Sequence, residues 1–292
     1  MESSAQRMQA LLPYLAVRPI DDKRFCGESH DAGGGHVFGG QVVAQALSAS
    51  DFTVDGMLAH SLHGYFILSG DSTTTIDYVV DRVREGRSFA TRHVDAWQND
   101  RRIFSMLVSY QKAEEGPVHQ IEMPIDLPEP ETLKEEYELR REAAKQLGSE
   151  DWGRYGRLRP VDLRPVAQID PLLAGKQPPF RKYWIRIPLE LPDDPRLHRR
   201  ILAYSSDFSL MGTARLPHGF TSFTPGYRGA SLDHAIWFHR TCRVDEWLLF
   251  DMDSPNAADA RGFSRGQIFN RDGVLVASTA QESLMRYTPP TN

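Results

Sequence analysis

The chain has 292 residues, with 34 Lys and Arg against 39 Asp and Glu, a formal net charge of −5 and a sequence pI near 6.1. That balance lacks the basic footprint of a nucleic-acid binder, and 40% apolar with 25% charged residues is the make-up of a globular chain able to bury a core. No run of about 18 apolar residues exists, so no membrane-spanning helix is expected.

Residues 1–23 carry no basic segment ahead of their short apolar stretch and no small-residue cleavage site, so they do not read as a signal peptide. The two cysteines, Cys26 and Cys242, lie far apart in sequence. They form neither a disulfide framework nor a zinc knuckle, and a reducing cytoplasm suits them best. Arg18–Cys26 is a candidate first strand. Phe38-Gly-Gly-Gln-Val-Val-Ala-Gln-Ala-Leu47 follows as a helix with little polar surface, marked by Gln41 and Gln45 four apart on one face. Strands rich in Val, Ile, Thr and aromatics are predicted over 60–67, 74–83, 88–97 and 102–111. Gln98-Asn99-Asp100-Arg101 supplies the turn between the last two.

Residues from about 116 carry Pro124, Pro128 and Pro130, and then a charged stretch from Lys134 to Lys145. Leu133, Tyr137, Ala144 and Leu147 fall near one face of that stretch, which reads as a solvated linker helix with same-face ion pairs. Beyond it, 160–166 and 182–188 are candidate strands. Asp194-Pro195 is a helix start, with Asp as cap and Pro in the first turn. Leu197, Ile201, Leu202 and Phe208 give that helix its apolar face. Strands are predicted over 230–239, 247–253, 261–269 and 274–285, with Asp272-Gly273 as the hairpin turn before the last.

One helix followed by four strands therefore occurs twice, at an offset of about 170 residues (61 to 231, 111 to 281). Helix and strands are not interleaved one to one, which disfavours a doubly wound parallel sheet. The expected class is α+β: two tandem units, each a long helix wrapped by an antiparallel sheet, with the two sheets joined. The units are 1–115 and 159–292, with 116–158 between them.

Three tempting motifs fail on context. Gly262-Phe-Ser264-Arg-Gly266 matches the nucleophile elbow of serine hydrolases, which needs a strand, a sharp turn and a helix, and then Asp and His in that order. Ser264 instead falls inside a predicted hairpin strand, and no histidine follows His239. Gly33-Gly34-Gly35 with Gly39-Gly40 suggests a phosphate loop but lacks the Gly-Lys-Ser/Thr ending, so a loop entering a tightly packed helix is the better reading. His60 and His63 are three apart on a predicted strand and point to opposite faces, as do His234 and His239. No metal site is expected, and no cofactor.

Three segments carry a family resemblance. They are Val37-Phe-Gly-Gly-Gln-Val-Val-Ala-Gln-Ala-Leu47; His60-Ser-Leu-His-Gly-Tyr-Phe66 with Gly70-Asp71; and Ser231-Leu-Asp-His-Ala-Ile-Trp-Phe-His-Arg240, continuing through Glu246-Trp-Leu-Leu249 and Ala260-Arg-Gly-Phe263 to Val276-Ala-Ser-Thr-Ala-Gln281. In this order they resemble the acyl-CoA thioesterase II family, double-hotdog enzymes, across both halves of the chain. The resemblance implies hydrolysis of fatty acyl-CoA to free fatty acid and CoA, with water as the nucleophile. It implies that Asp207, Ser231 and Gln281 hold that water, with Ser231 where many members have Thr. It also implies packing into homodimers or homotetramers. An ionised carboxylate can orient water and take its proton, and a hydroxyl and an amide each both donate and accept. The start of the first helix, at Gly39 and Gly40, is the expected source of backbone N–H donors for the oxyanion. His60 is a secondary candidate for lining the site.

Read without the resemblance, Asp207 is an ordinary aspartate, unfavourably placed near a helix C-terminus, and Gln281 is a strand glutamine in need of hydrogen-bond partners. Ser61 and Gln111 stand at the repeat positions of Ser231 and Gln281. Asp207 matches Val37 at that offset, although Asp51 follows the first helix in a similar Ser-Asp-Phe context, as a degenerate second site would. A hotdog protein that binds acyl-CoA without cleaving it is the alternative function.

Overall fold

The computed structural model describes residues 3–31, 35–146, 159–168 and 175–289. Gly33 and Gly34 of the glycine cluster, and Leu147 of the charged helix, lie outside the described residues.

The first half opens with α1 (Ser4–Leu11), capped by a reciprocal Ser3/Gln6 box, and two short strands, β1 (Arg18–Pro19) and β2 (Arg24–Gly27). Then come α2 (Gly39–Asp51), β3 (Leu58–Phe66), β4 (Ile76–Glu85), β5 (Phe89–Gln98) and β6 (Arg101–Gln111). The turn before β6 puts Asn99 and Asp100 at φ 47° and 59°, a left-handed pair that short polar side chains tolerate. After α3 (Glu136–Gln146) the pattern repeats: β7 (Asp162–Pro165), β8 (Phe180–Arg186), α4 (Pro195–Ser206), a short α5 (Leu210–Arg215), β9 (Tyr227–Ser231), β10 (Asp233–Phe238), β11 (Leu248–Ala258), β12 (Arg261–Asn270) and β13 (Leu275–Tyr287).

The strands form one antiparallel sheet in the order β1-β2-β4-β5-β6-β3-β10-β13-β12-β11-β8-β7, with β9 off this path and paired to β13. Read outward from its centre, each half runs through the same sequence of strands. The halves join where β3 pairs with β10, from Asp233 opposite Tyr65 to Trp237 opposite Ser61. The sheet wraps α2 and α4. Residues 40–51 of α2 are all buried, so its two glutamines must find partners inside. Gln45 donates to the carbonyls of Tyr14 and Glu28 at 2.7 and 2.8 Å and accepts from the Tyr78 hydroxyl at 2.7 Å, and Gln41 donates to Glu28 O at 2.9 Å. The pair staples the segment after β2 to the central helix. One apolar core, including Leu47, Leu62, Ile201 and Ile236, runs through both halves.

Two sequence expectations need correction. The strand expected over 230–239 is broken at Leu232 into β9 and β10. The cause is a cross-strand contact: the Asp233 carboxylate accepts from Glu282 N at 2.6 Å, taking an N–H that an unbroken backbone ladder would have used. The charged segment is also not a solvated linker helix. Its buried face is Glu136, Leu139, Ala143 and Ala144. Glu136 accepts from Arg140 at 3.0 Å and from the Tyr183 hydroxyl at 3.1 Å, with Arg159 3.6 Å away. Upstream, Met123, Leu127 and Leu133 pack on Trp184, Trp247, Leu249 and Phe269, while Trp184 Nε1 donates to Pro128 O at 3.0 Å. Prolines suit this strap because no strand ladder calls on their missing N–H, while the Pro128 and Pro130 carbonyls still accept from Trp184 and Arg164.

Burial alone would raise the pKa of Glu136, but Arg140, Arg159 and Arg181 outweigh it and hold the carboxyl at about 2. Because the folded value lies below the ordinary one, the stabilisation is present above about pH 4.5 and is lost as pH falls toward 2. Glu136→Ala strands buried arginines, and we expect chemical denaturation to show a loss of roughly 3–5 kcal/mol at neutral pH. A loss below about 1 kcal/mol, the level of an exposed pair, would show that the network contributes nothing.

Candidate active site

The central helices run antiparallel, so the C-terminus of α4 meets the N-terminus of α2. Asp207, the C-cap that follows Ser206 at the end of α4, occupies this junction and is 8% exposed. Its Oδ2 accepts from Gly40 N at 2.9 Å. The unfavourable dipole of its own helix is thus answered by the positive end of the other. The close approach depends on the absence of a side chain at two positions. A Cβ on Gly39 would lie 2.8 Å from Asp207 Oδ2 and 2.9 Å from the Phe66 ring, and one on Gly40 would lie 2.4 Å from Tyr204 O.

The strands bring the other two expected residues to the same carboxylate. Ser231, last in β9, directs its hydroxyl at Asp207 Oδ1 at 3.5 Å, and Gln281 on β13 donates from Nε2 to Ser231 Oγ at 2.9 Å. Alternation along β13 buries Ala277, Thr279, Gln281 and Ser283 on one face. Burial lifts the Asp207 carboxyl to about 7, although the Gly40 N–H, Ser231 and Gln281 pull the other way. Ser231 and Gly39 are only part-buried, so the cluster reaches solvent on that side. Above it, Phe208 stacks on Phe38 with centroids 4.7 Å apart, and the Arg159 guanidinium lies 4.7 Å over Phe208. The buried network of α3 therefore backs the residues that flank both Asp207 and Gly39.

The remaining candidates divide. Gly40 belongs to the site, but its N–H is committed to Asp207 rather than turned to an oxyanion. His60 is not brought to this cluster. Its ring hydrogen-bonds Ser109 Oγ at 2.8 Å and packs edge-on to Phe89, near the opposite end of β3 from Phe66. Ser264 lies within β12, 1% exposed, and donates to Leu210 O at 2.9 Å, as the strand context required. Sequence reasoning missed His234. It is fully buried on β10, and its Nδ1 meets Gln281 Oε1 at 2.8 Å while its Nε2 meets Ser206 Oγ at 2.8 Å. The alternation that buries every second residue of β10 was the available signal.

The pseudo-equivalent junction, where the C-terminus of α2 meets the N-terminus of α4, is built differently. Asp51 is buried there, with its carboxyl raised by burial to about 6, and accepts from Tyr110 at 3.0 Å. Arg196 fills the space beside it, donating to Asp51 O at 2.9 Å and Val54 O at 2.6 Å. Pro195 offers no N–H, and Asp194 caps α4 itself by accepting from Arg196 N at 2.9 Å. Among the described residues, no hydrogen bond joins Asp51 to Ser61 or Gln111. No group of three or more His, Cys, Asp or Glu there could hold a metal ion.

Two variants test this geometry. Gly39→Ala should push Asp207 aside and lower turnover on the order of 10²-fold, the cost of misplacing a reacting group by about 1 Å. Unchanged turnover would mean that the contact is not needed. Ser264→Ala should keep kcat near the wild-type value and cost about 1 kcal/mol of stability through the lost hydrogen bond to Leu210. Loss of activity in a folded Ser264→Ala protein would reinstate a serine nucleophile.

The model of the acyl-CoA thioesterase N-terminal domain family matches residues 27–111, and that of the acyl-CoA thioesterase family matches residues 159–284. Acyl-CoA thioesterase 2 of Haemophilus influenzae is 38% identical over 95% of this chain and 97% of its own. Acyl-coenzyme A thioesterase 8 of Homo sapiens is 34% identical over 94% of this chain and 88% of its own. The crystal structure of an acyl-CoA thioesterase II from Mycobacterium marinum superposes with a TM-score of 0.77 at 37% identity, covering 95% of this chain and 98% of that one. With the joined double-hotdog sheet and the junction of its two central helices, these likenesses place the chain in the acyl-CoA thioesterase II family.

Proposed function

We propose that the protein hydrolyses fatty acyl-CoA thioesters to free fatty acid and CoA, with Asp207 as the base that activates water and with Ser231 and Gln281 orienting it. The observation that carries this reading is a buried carboxylate on which a helix-start N–H, a hydroxyl and an amide converge, and burial raises its pKa toward 7. A general base is most effective when its pKa lies near the working pH. Asp207 takes a proton from water as the oxygen attacks the thioester carbon. The tetrahedral oxyanion then collapses, the C–S bond breaks, and the thiolate leaves. A thiol with a pKa near 8.5, taking the cysteine value as a guide, departs without a strong general acid. It gains the proton held by Asp207 or one from solvent. Because Gly40 N–H serves the base, Gly39 N–H at the positive end of α2 is the donor assigned to the oxyanion.

The same reading treats 1–115 and 159–292 as the two hotdog units and 116–158 as the strap between them. It includes a cytoplasmic setting and assembly into dimers or tetramers. Tyr65 and Leu107, 66% and 50% exposed on the outer face of adjacent strands, are the apolar surface that such packing would cover. Light scattering would show the assembly. Among the described residues, no helix is long and apolar enough to cross a membrane.

The test is thiol release from a panel of acyl-CoAs of different chain length. Wild type should turn over at least one of them, with kcat/KM rising with pH to a plateau through a midpoint near 7, where Asp207 ionises. Asp207→Asn should abolish turnover. The folded carboxyl titrates above its ordinary value, so the fold favours its neutral form, and the stability from this group is lost as pH rises toward 7. At pH 8, Asp207→Asn should therefore be more stable than wild type, by ~1–3 kcal/mol. No thiol release on any chain length, or full activity in the Asn variant, would overturn the mechanism. Tight acyl-CoA binding without turnover would make the protein a carrier or sensor instead.

A further inference from the structure

We infer that His234 is a positioning residue of this site, holding the Gln281 amide in the one orientation that serves Asp207; the inference rests on the hydrolase reading above. The geometry is a continuous chain of side chains: Ser206 Oγ to His234 Nε2 at 2.8 Å, His234 Nδ1 to Gln281 Oε1 at 2.8 Å, Gln281 Nε2 to Ser231 Oγ at 2.9 Å, and Ser231 Oγ to Asp207 Oδ1 at 3.5 Å. His234 and Ser206 are fully buried and Gln281 is 1% exposed, so water does not take the place of a missing partner.

Proton bookkeeping fixes the direction. An ionised carboxylate only accepts, so Ser231 gives its proton to Asp207 and must itself accept from Gln281 Nε2. The amide oxygen is then turned to the imidazole, and Nδ1 must carry the ring proton. Nε2 is left as an acceptor, so in this arrangement the single Ser206 hydrogen, which can otherwise be donated to Ala203 O at 2.9 Å, is given to the ring. Every proton in the chain points toward Asp207. The opposite tautomer meets a flipped amide, which would set its carbonyl oxygen against Ser231 Oγ, whose single hydrogen is already given to Asp207. Burial holds the imidazole neutral by lowering its pKa to about 4, as this role needs.

The chain matters most in mid-reaction. Once Asp207 has taken a proton from water it is neutral, and its charge no longer selects the amide orientation. At that moment the His234 Nδ1–H keeps Gln281 from turning over, so the site is already set for the next water. Sequence spacing hid this partnership because His234 and Gln281 are 47 residues apart and meet only across the β10–β13 pairing.

The test compares His234→Leu, which removes the donor, with His234→Asn, which keeps an N–H near Nδ1, in acyl-CoA turnover. The Leu variant should lose about tenfold or more in kcat, the scale of one buried hydrogen bond, with KM within about twofold of wild type, and the Asn variant should recover most of the loss. Nitrogen-15 shifts of wild-type His234 should report a protonated Nδ1 and a bare Nε2 at neutral pH. A folded Leu variant with wild-type kcat, or shifts that place the proton on Nε2, would overturn the role of His234 alone. An inactive wild type would overturn the hydrolase reading instead. If the Leu variant does not fold, the nitrogen shifts decide.

Discussion

The structure turns on one contact: the Asp207 carboxylate held by the Gly40 N–H across the junction of two antiparallel helices. A buried carboxylate is costly unless donors surround it, and here they come from three separate parts of the fold. The helix start supplies Gly40, the end of a broken strand supplies Ser231, and the last strand supplies Gln281. None of these is near Asp207 in sequence. The joined sheet, the two bare glycines and the interruption at Leu232 are the conditions under which they meet. Because the donors only partly offset burial, the carboxyl stays near neutrality, where a base is useful.

The two-fold repeat makes the asymmetry informative. A helix C-terminus ends in an aspartate at both junctions, and both carboxylates are buried with raised pKa values. At one, two glycines open the facing helix so that its backbone reaches the carboxylate. At the other, a proline start, a self-supplied cap and Arg196 close it. The second junction instead joins the halves: Arg196 and Arg199 of α4 donate to the carbonyls of Asp51, Val54, Met57 and Ala59. One end of the paired helices thus leaves a part-open carboxylate cluster and the other is closed by cohesion between the halves.

Much of this was legible in the sequence. The period-2 strands, the Asp194-Pro195 helix start and the Asn-Asp and Asp-Gly turns all have local physical causes, and they fall within a few residues of where they were expected. Asp207, Ser231 and Gln281 were singled out by resemblance alone, because no local signal in the sequence brings a strand glutamine, a serine and a helix-end aspartate together as the fold does. What stayed hidden depends on contacts across long separations. His60 sits on a plausible strand but faces Ser109 and Phe89. The charged helix looked solvated because Glu136 has its buried partners Arg159 and Tyr183 well downstream. The break at Leu232 follows from an Asp233–Glu282 hydrogen bond that strand propensity does not encode.

The central claim is that burial keeps Asp207 titrating near neutral pH in the folded protein. Infrared difference spectra of wild type against Asp207→Asn, recorded across pH, would isolate its carboxyl stretch. The account requires that band to convert to carboxylate with a midpoint near 7. A midpoint near 4, the ordinary value for an aspartate, would contradict it.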